Sequence, residues 1–281
     1  MAPEKNQLAY CAGFVEPCAA LSTKQEEQIM NAQRDKAPWL KAWLEATELK
    51  LEPGASTGQR AYRLVLLGAP GVGKGTQAEL LSARLGPCHL ATGDIFRAAK
   101  ALDPAKLSPA LKEALEYMHR GELVPDDTVV ALVRERAHCL RWPTGFLLDG
   151  FPRTVPQAEA LEQILSAEGL ALDAVLNFES PVELIVARLS GRRTCPKCKA
   201  VFHIQTRKPK VDNVCDNCGT QLVIRDDDRP EAIRVRLDVY QKSTAPLVEF
   251  YRQRGLLLSI PAEGTPEEVY QLTLAALRKL G

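Results

Sequence analysis

Short apolar runs alternate with helix-length amphipathic segments over most of the chain. The runs begin at Leu64, Phe146, Ala174 and Leu256, and each consists of three to five mainly apolar residues. A strand that is apolar on both faces is typical of a parallel sheet covered by helices on either side. The pattern therefore predicts an α/β protein with a central parallel sheet.

Helix boundaries are also visible in the sequence. A helical segment over Thr76–Leu85 is followed by Gly86-Pro87, which ends it. Near the C-terminus, Thr265 and Glu268 have the spacing of a capping box, with a proline at the first helical position between them. We therefore expect the last helix over Pro266–Leu280.

Residues 1 to about 60 have a different composition. The segment Glu26–Leu51 is rich in Gln, Lys, Glu and Ala, with spaced apolar residues that include two tryptophans. This predicts one or two amphipathic helices, followed by a linker with Pro and Gly over 51–60. We interpret the segment as an appendage that packs on a domain formed by residues 61–281. The alternative is a partner-binding helix pair anchored by the tryptophans.

Composition and charge are those of an ordinary globular protein. The chain is 46% apolar and 25% charged, with a formal net charge of +1, which argues against a disordered or collagen-like chain. Stretches without a charged residue reach only about ten residues, half of what a transmembrane helix needs, and the first residues lack the apolar core of a secretory signal. We expect a cytoplasmic protein with no membrane or nucleic-acid partner.

The first motif with a chemical role is rich in glycine. Gly68–Thr76 reads GAPGVGKGT and lies directly between the first apolar run and a helical segment. Glycines let the backbone aim its N–H groups at phosphate oxygens, and Lys74 adds a full positive charge. Gly75 follows the lysine directly, where a hydroxyl residue is expected, and Thr76 comes one position later. The motif predicts a nucleoside triphosphate site, and a plain glycine-rich turn with an incidental lysine is the alternative.

A second motif continues the apolar run at Phe146. Gly145–Arg153 reads GFLLDGFPR, so that Asp149 ends a strand at the carboxyl edge of the predicted sheet. Ligands bind at this edge in open α/β sheets. A carboxylate there suits Mg²⁺, bound directly or through water, and the guanidinium of Arg153 suits a phosphate. The alternative is an acidic residue that only caps a turn.

Four of the eight cysteines are clustered. Two C-x₂-C pairs, Cys195 with Cys198 and Cys215 with Cys218, are separated by 16 residues, which is the two-turn pattern of a structural Zn²⁺ site. Four thiolates leave no open position on the metal, so the ion would stabilise the segment and take no part in catalysis. A disulfide pair or free thiols are the alternatives. The other cysteines are expected to be buried and reduced, and the four histidines to be structural or at the surface.

The motifs taken together are similar to those of one enzyme family. They are GAPGVGKGTQ (Gly68–Gln77), HLATGDIFR (His89–Arg97), GELVPD (Gly121–Asp126), DGFPRTVPQ (Asp149–Gln157), and the segments Arg225–Arg236 and Thr244–Pro246. In this order they resemble the adenylate kinases, from about Arg63 to the C-terminus, and that family also has Gly after the loop lysine. The resemblance implies a P-loop nucleoside monophosphate kinase fold, a parallel sheet with helices on both faces. It also implies Mg²⁺-dependent, reversible phosphoryl transfer from ATP to AMP, giving two ADP.

The resemblance further implies roles for individual residues. A part near residues 91–124 would bind AMP, and a zinc lid near 191–228 would cover the donor nucleotide. The AMP-binding residues would be Thr92, Arg97, Glu122, Leu123, Val124, Gly150, Phe151, Pro152, Arg153, Gln157, Arg225 and Arg236. The donor-binding residues would be Gly71, Val72, Gly73, Lys74, Gly75, Thr76, Arg188, Arg192, Val201, Phe202 and Pro266. The catalytic residues would be Lys74, Asp149, Arg153, Arg188, Arg192, Arg225 and Arg236.

The implied pocket suits phosphoryl transfer, which needs positioning and charge neutralisation more than covalent help. Arg97 and Arg153 would hold the AMP phosphate, and Thr92 and Gln157 would face its adenine. No catalytic base is expected, because the AMP phosphate is already an anionic nucleophile. We expect a monomer. The alternatives are a UMP/CMP kinase, disfavoured by the long lid and the adenine-facing pair, and a non-catalytic nucleotide-sensing scaffold whose N-terminal extension binds a partner.

Overall fold

A twisted parallel sheet forms the centre of the protein. The computed structural model describes residues 60–280 except 101, 104, 106 and 121–123, so the N-terminal extension lies outside the described residues. The strands are β1 (Tyr62–Leu67), β2 (Cys88–Ala91), β3 (Gly145–Asp149), β4 (Ala174–Glu179), β5 (Arg192–Thr194), β6 (Val201–His203) and β7 (Leu257–Pro261). Five of them pair in parallel in the order β2-β3-β1-β4-β7, which confirms the predicted sheet.

Helices cover both faces of this sheet. They are α1 (Lys74–Leu85), α2 (Thr92–Ala99), α3 (Pro109–His119), α4 (Asp126–Arg134), α5 (Val155–Ala167), α6 (Val182–Gly191), α7 (Pro230–Val239), α8 (Pro246–Gln253) and α9 (Pro266–Leu277). Alternate residues of β1 enter different cores: Val65 packs with α2 to α5 and α8, and Leu66 packs with α1 and α9. Because both faces are buried, the strand reads as a continuous apolar run.

The ends of the elements agree with the sequence in most places. The capping box at the start of α9 is present, with the side chains of Thr265 and Glu268 each accepting from the other's backbone N–H. The α-helix ends at Leu277, and Arg278–Leu280 forms a 3₁₀ turn, so the expected continuous helix to Leu280 is slightly too long. Among the described residues, none of the helices has the length and apolarity to cross a membrane.

The lid is a separate small unit between α6 and α7. Its β5 and β6 form an antiparallel pair, with Arg192 opposite His203. Four buried apolar side chains of the lid form a cluster of their own: Cys195, Phe202, Cys215 and Leu222. Four side chains are too few to stabilise an independent core, so the lid needs a further source of stability.

Candidate active site

The loop between β1 and α1 is shaped by glycine. Gly68 has a φ of +132°, and a Cβ atom built on it would lie 2.5 Å from the carbonyl oxygen of Phe178, so only glycine fits. Lys74 folds back over the loop, where its Nζ donates to the carbonyl oxygens of Gly68 at 2.6 Å and Ala69 at 3.1 Å. The loop thus encloses an ammonium group, an arrangement that binds phosphate chains.

The charge of Lys74 depends on its surroundings. Its pKa is lowered to about 8, chiefly by burial; Asp149 opposes this shift, whereas Arg153, Arg236 and Arg192 add to it. An anion bound in the loop would favour the charged form and raise the pKa again.

Asp149 ends β3 beside the glycine loop. Oδ2 of Asp149 lies 3.5 Å from Nε2 of His89, which is buried on β2. Burial alone would raise the pKa of Asp149, but the contact with His89 and the charge of Lys74 outweigh it and hold the pKa below its ordinary value. The carboxylate is therefore ionised at neutral pH, as a ligand of Mg²⁺ or of its waters must be.

The carbonyl group of Gly150 connects two of the predicted AMP-binding residues. Its oxygen accepts hydrogen bonds from Oγ1 of Thr92 at 3.0 Å and from Nε of Arg153 at 2.8 Å. Gly150 has a φ of +83°, and a Cβ atom there would lie 2.8 Å from the Thr92 hydroxyl. This turn requires glycine, and it holds the start of α2 against the end of β3.

Gln157 is buried and hydrogen-bonded in two directions. Its Oε1 accepts from the backbone N–H of Arg153 at 2.8 Å, and its Nε2 donates to Oδ1 of Asp126 at 2.6 Å. The hydroxyl of Thr154, the N-cap of α5, donates to Oδ2 of Asp126 at 2.6 Å. The amide is therefore held between α4 and α5.

Five of the predicted phosphate-binding arginines lie close enough for their charges to act on one another or on Lys74. They are Arg97, Arg153, Arg192, Arg225 and Arg236. Burial, followed by the charges of Arg192 and Arg97, lowers the pKa of Arg225 to about 10. Burial also lowers the pKa of Arg236. So many positive charges at one edge favour a ligand with several negative charges.

Two carboxylates balance part of this charge. Asp228 is buried and accepts two hydrogen bonds from Arg192, from Nε to Oδ2 at 2.7 Å and from Nη2 to Oδ1. Nη1 of Arg236 lies 3.3 Å from Oδ1 of Asp228 and 3.2 Å from Oδ2 of Asp227. Asp228 thus connects the start of the lid, at Arg192, to the helix that follows it.

Arg188 is hydrogen-bonded to backbone carbonyl groups of two loops. Its Nη1 donates to the carbonyl oxygens of Val72 at 3.1 Å and Ala262 at 2.7 Å, and its Nη2 donates to that of Glu263 at 3.2 Å. Burial lowers the pKa of Arg188. The guanidinium therefore ties the glycine loop to the loop between β7 and α9.

The start of α9 is held by Gln77 of α1. The buried side chain of Gln77 donates from Nε2 to the carbonyl oxygen of Pro266 at 2.8 Å. The structure thereby brings Pro266, which is distant from the glycine loop in sequence, to the first helix after that loop.

The four clustered cysteines meet in the lid. Their Sγ atoms all lie within 4.8 Å of one another, and the pairs Cys195–Cys218 and Cys198–Cys215 are each 3.4 Å apart. Zinc–sulfur bonds of about 2.3 Å in a tetrahedron place the sulfurs about 3.8 Å apart. The donor set and its spacing therefore fit Zn²⁺, and the predicted meeting of the four thiols is confirmed.

The other predicted site residues lie in the main domain and in the lid. Phe151 and Pro152 are buried, Val124 packs against the core, and Phe202 is buried in the lid cluster with the half-buried Val201 beside it. The remaining residues of the glycine loop and the start of α1 are Gly71, Val72, Gly73, Gly75 and Thr76. Glu122 and Leu123 lie outside the described residues.

Three residues that contact predicted site residues were not themselves predicted from the sequence. His89 and Gln77 lie within motifs that resemble those of the adenylate kinases, and nothing else in the sequence indicates a role for them. Asp228 belongs to a run of three aspartates, which by itself indicates a solvated acidic turn. Of the scattered cysteines, Cys88 and Cys139 are buried and free, as expected.

Comparison with known proteins gives one consistent result. The family model described as adenylate kinase matches residues 66–256. The adenylate kinase of Carboxydothermus hydrogenoformans is 48% identical over 217 residues, which are 77% of this chain and 100% of the relative. That of Caldicellulosiruptor saccharolyticus is 48% identical over 78% of this chain and 99% of the relative. That of Streptomyces avermitilis is 46% identical over 77% of this chain and 97% of the relative.

Proposed function

The chain belongs to the adenylate kinase family, and we propose that the arginine-rich sheet edge is the site at which it transfers the γ-phosphoryl group of ATP to AMP. The reaction is reversible and gives two molecules of ADP, which serves adenine nucleotide homeostasis. The relatives do not favour a UMP/CMP kinase or a non-catalytic nucleotide sensor. The observation that carries the site assignment is the cluster of five arginines beside the glycine loop: the charges of Arg153, Arg192 and Arg236 act on Lys74, and Arg97 and Arg225 lie within reach of these arginines.

The donor side of the site is the glycine loop. Its backbone N–H groups and Lys74 would hold the phosphate chain of ATP, and Arg192 would reach that chain from the lid. The adenine of ATP would lie near Arg188 and Pro266, which border the loop between β7 and α9. Val201 and Phe202 would approach the same nucleotide from the lid.

The acceptor side lies beyond Asp149. Arg97 and Arg153 would hold the phosphate of AMP, and Gln157 and Thr92 would face its adenine. The hydroxyl hydrogen of Thr92 is donated to the carbonyl oxygen of Gly150, so toward the base Thr92 would offer its lone pairs and methyl group. The other predicted AMP contacts, from residues 122–124 and 150–152, would enclose the nucleotide.

Positioning and charge neutralisation account for the chemistry. Arg225 and Arg236 would bridge the two phosphate chains and stabilise the charge that spreads over the transferred group. Mg²⁺ bound with ATP neutralises charge on the β- and γ-phosphates, and Asp149 would hold the ion directly or through water. No side chain needs to act as a base, since the attacking oxygen of AMP is already ionised.

Two parts of the chain would close over the nucleotides. We propose that the part near 91–124 closes on AMP and that the lid near 191–228 closes on ATP, which excludes water during transfer. Zn²⁺ on Cys195, Cys198, Cys215 and Cys218 would supply the stability that the small lid core lacks. With four thiolate ligands, the ion has no open position for a substrate.

We also propose that the protein acts as a cytoplasmic monomer. All five clustered arginines, Lys74 and Asp149 belong to this chain, so none of these site residues would have to come from a partner subunit. Thiol ligands of zinc are retained in a reducing compartment, which favours the cytoplasm.

The experiment that tests this function is an assay of ADP formation by the purified full chain. ATP and Mg²⁺ are combined with AMP, UMP, CMP or GMP in turn, with the Lys74→Met variant as a blank. We expect kcat/KM for AMP to exceed that for each other monophosphate by at least about tenfold, since a wrong base leaves buried groups unpaired at about 1–3 kcal/mol each. Equal values for UMP would favour the rival kinase, and nucleotide binding without turnover would favour the sensor.

A further inference from the structure

The side-chain amide of Gln157 can face only one way. Its Oε1 meets a backbone N–H, that of Arg153, and its Nε2 meets a carboxylate oxygen of Asp126. A flip by 180° would place the amide nitrogen against the N–H group and the amide oxygen against the carboxylate. Both hydrogen bonds would then be replaced by repulsive contacts in a buried position.

Asp126 makes this orientation unique. If it could donate a hydrogen bond, as an asparagine can, the flipped amide would lose only the bond to Arg153. A carboxylate accepts but never donates while it is ionised, so it selects the nitrogen of Gln157. The other oxygen of Asp126 is held by the hydroxyl of Thr154 at 2.6 Å, which keeps the carboxylate itself in place.

An amide fixed in this way distinguishes purine bases. One hydrogen of Nε2 and one lone pair of Oε1 remain after the two bonds have been made. Adenine places its amino donor beside a ring-nitrogen acceptor and so matches one donor next to one acceptor. On its Watson–Crick edge, guanine has an acceptor oxygen where adenine has the amino group and a ring N–H where adenine has the acceptor nitrogen, so it needs the amide in the flipped orientation. On its N7 edge guanine offers two acceptors, which neither orientation of the amide matches.

We propose that Asp126 is a positioning residue for the base selectivity of the acceptor site: it holds the amide of Gln157 in the orientation that accepts adenine and rejects guanine. This inference rests on the proposed function, in which Gln157 faces the base of AMP. It adds a residue that would not touch the nucleotide and would act only through Gln157.

The test compares two isosteric variants, Asp126→Asn and Asp127→Asn. Asp127 is the next residue of α4 and is exposed, so its variant removes the same charge from the same helix turn. We expect Asp126→Asn to lower the ratio of kcat/KM for AMP to that for GMP about tenfold or more, through KM for AMP, because a mismatched buried hydrogen bond has about this effect. KM for ATP should stay within about twofold, since the donor side does not involve this bond. Asp127→Asn should leave the ratio unchanged.

Different results would contradict the role of Asp126 and the proposed function. An unchanged AMP-to-GMP ratio in folded Asp126→Asn overturns the role of Asp126, and so does a loss that is equal for AMP, GMP and ATP, because that indicates only a structural role. A wild-type protein without preference for AMP overturns the proposed function itself. If Asp126→Asn does not fold, Thr154→Val provides the test. It removes the bond to the other carboxylate oxygen together with the N-cap bond from the backbone N–H of Gln157 at 3.3 Å. It should lower the same ratio about threefold, and an unchanged ratio again overturns the proposal.

Discussion

Arg192 and Asp228 form a two-pronged ion pair across the base of the lid. Nε of Arg192 donates to Oδ2 of Asp228 at 2.7 Å, and Nη2 donates to Oδ1. The carboxylate is buried, and it also lies 3.3 Å from Nη1 of Arg236. One acidic group therefore lies between two of the arginines and offsets part of their mutual repulsion before a nucleotide binds.

Removal of that carboxylate should destabilise the protein. We expect Asp228→Asn to lower the free energy of unfolding by about 3 kcal/mol, because a broken buried pair leaves cations without compensation. Urea unfolding followed by circular dichroism measures the change. The control is Asp226→Asn, since the Asp226 carboxylate is exposed and its pair with Arg229 lies at the surface; its effect should stay below about 1 kcal/mol. Equal effects of the two variants would contradict the role of Asp228.

Loss of either of two central cations should abolish most of the activity. We expect Lys74→Met and Arg153→Ala each to lower kcat/KM by about 100-fold or more without unfolding, because each removes a positive charge that is aimed at the developing transition state. ADP formation and circular dichroism are the measurements. Lys242→Met removes a lysine that pairs with Asp238 on the surface and should retain full activity. Folded variants with near-normal rates would refute the site assignment.

The lowered pKa of Lys74 predicts proton uptake when ATP binds. With a pKa of about 8 in the free protein, the lysine is mostly neutral at pH 8.5, and the triphosphate favours its charged form. We expect about 0.7 proton taken up per ATP at pH 8.5 and about 0.1 at pH 7. ATP should also bind more weakly as the pH rises above about 8.

Calorimetry in buffers of different ionisation enthalpy measures this uptake. Lys74→Met should lose the uptake at pH 8.5, and the Lys242→Met control should retain it. Equal proton numbers at the two pH values in the wild-type protein would show that Lys74 is already charged before ATP binds.

Zinc removal should destabilise the lid. Elemental analysis should find about one Zn²⁺ per chain. A strong chelator under reducing conditions should lower the midpoint of thermal unfolding by about 5 °C, because the lid loses the folding free energy of its metal. The double variant Cys215→Ser with Cys218→Ser should behave like the stripped protein, and Cys88→Ser, outside the cluster, should still bind zinc. Activity strictly proportional to zinc in a folded protein would make the metal catalytic.

Truncation should leave the catalytic domain intact. A chain that starts at Gln59 should remain folded and retain its turnover, because every chemistry-bearing motif lies after Leu64. Steady-state rates with ATP and AMP provide the measurement. A loss of activity in a folded truncated protein would show that residues 1–58 contribute to the site or to its closure.

The features that could be predicted from the sequence are those that depend on residues close together in the chain. The four thiols are specified by two short spacings, and the glycine loop is specified by the residues directly before and after it. The parallel sheet follows from runs such as Leu64–Leu67, because a strand buried on both faces cannot carry alternating polar residues. Most of the arginines that we propose to bind phosphate could likewise be named in advance, since each lies within a motif that resembles those of the adenylate kinases.

Contacts between side chains that are distant in sequence depend on the folded structure. Asp228 became the counter-ion of Arg192, 36 residues away, and Gln77 met the carbonyl group of Pro266, 189 residues away. The amide of Gln157 acquired its orientation from Asp126, on another helix. The physical reason is that burial and charge depend on distances across the fold, and an aspartate reads the same in sequence whether it faces water or a buried arginine.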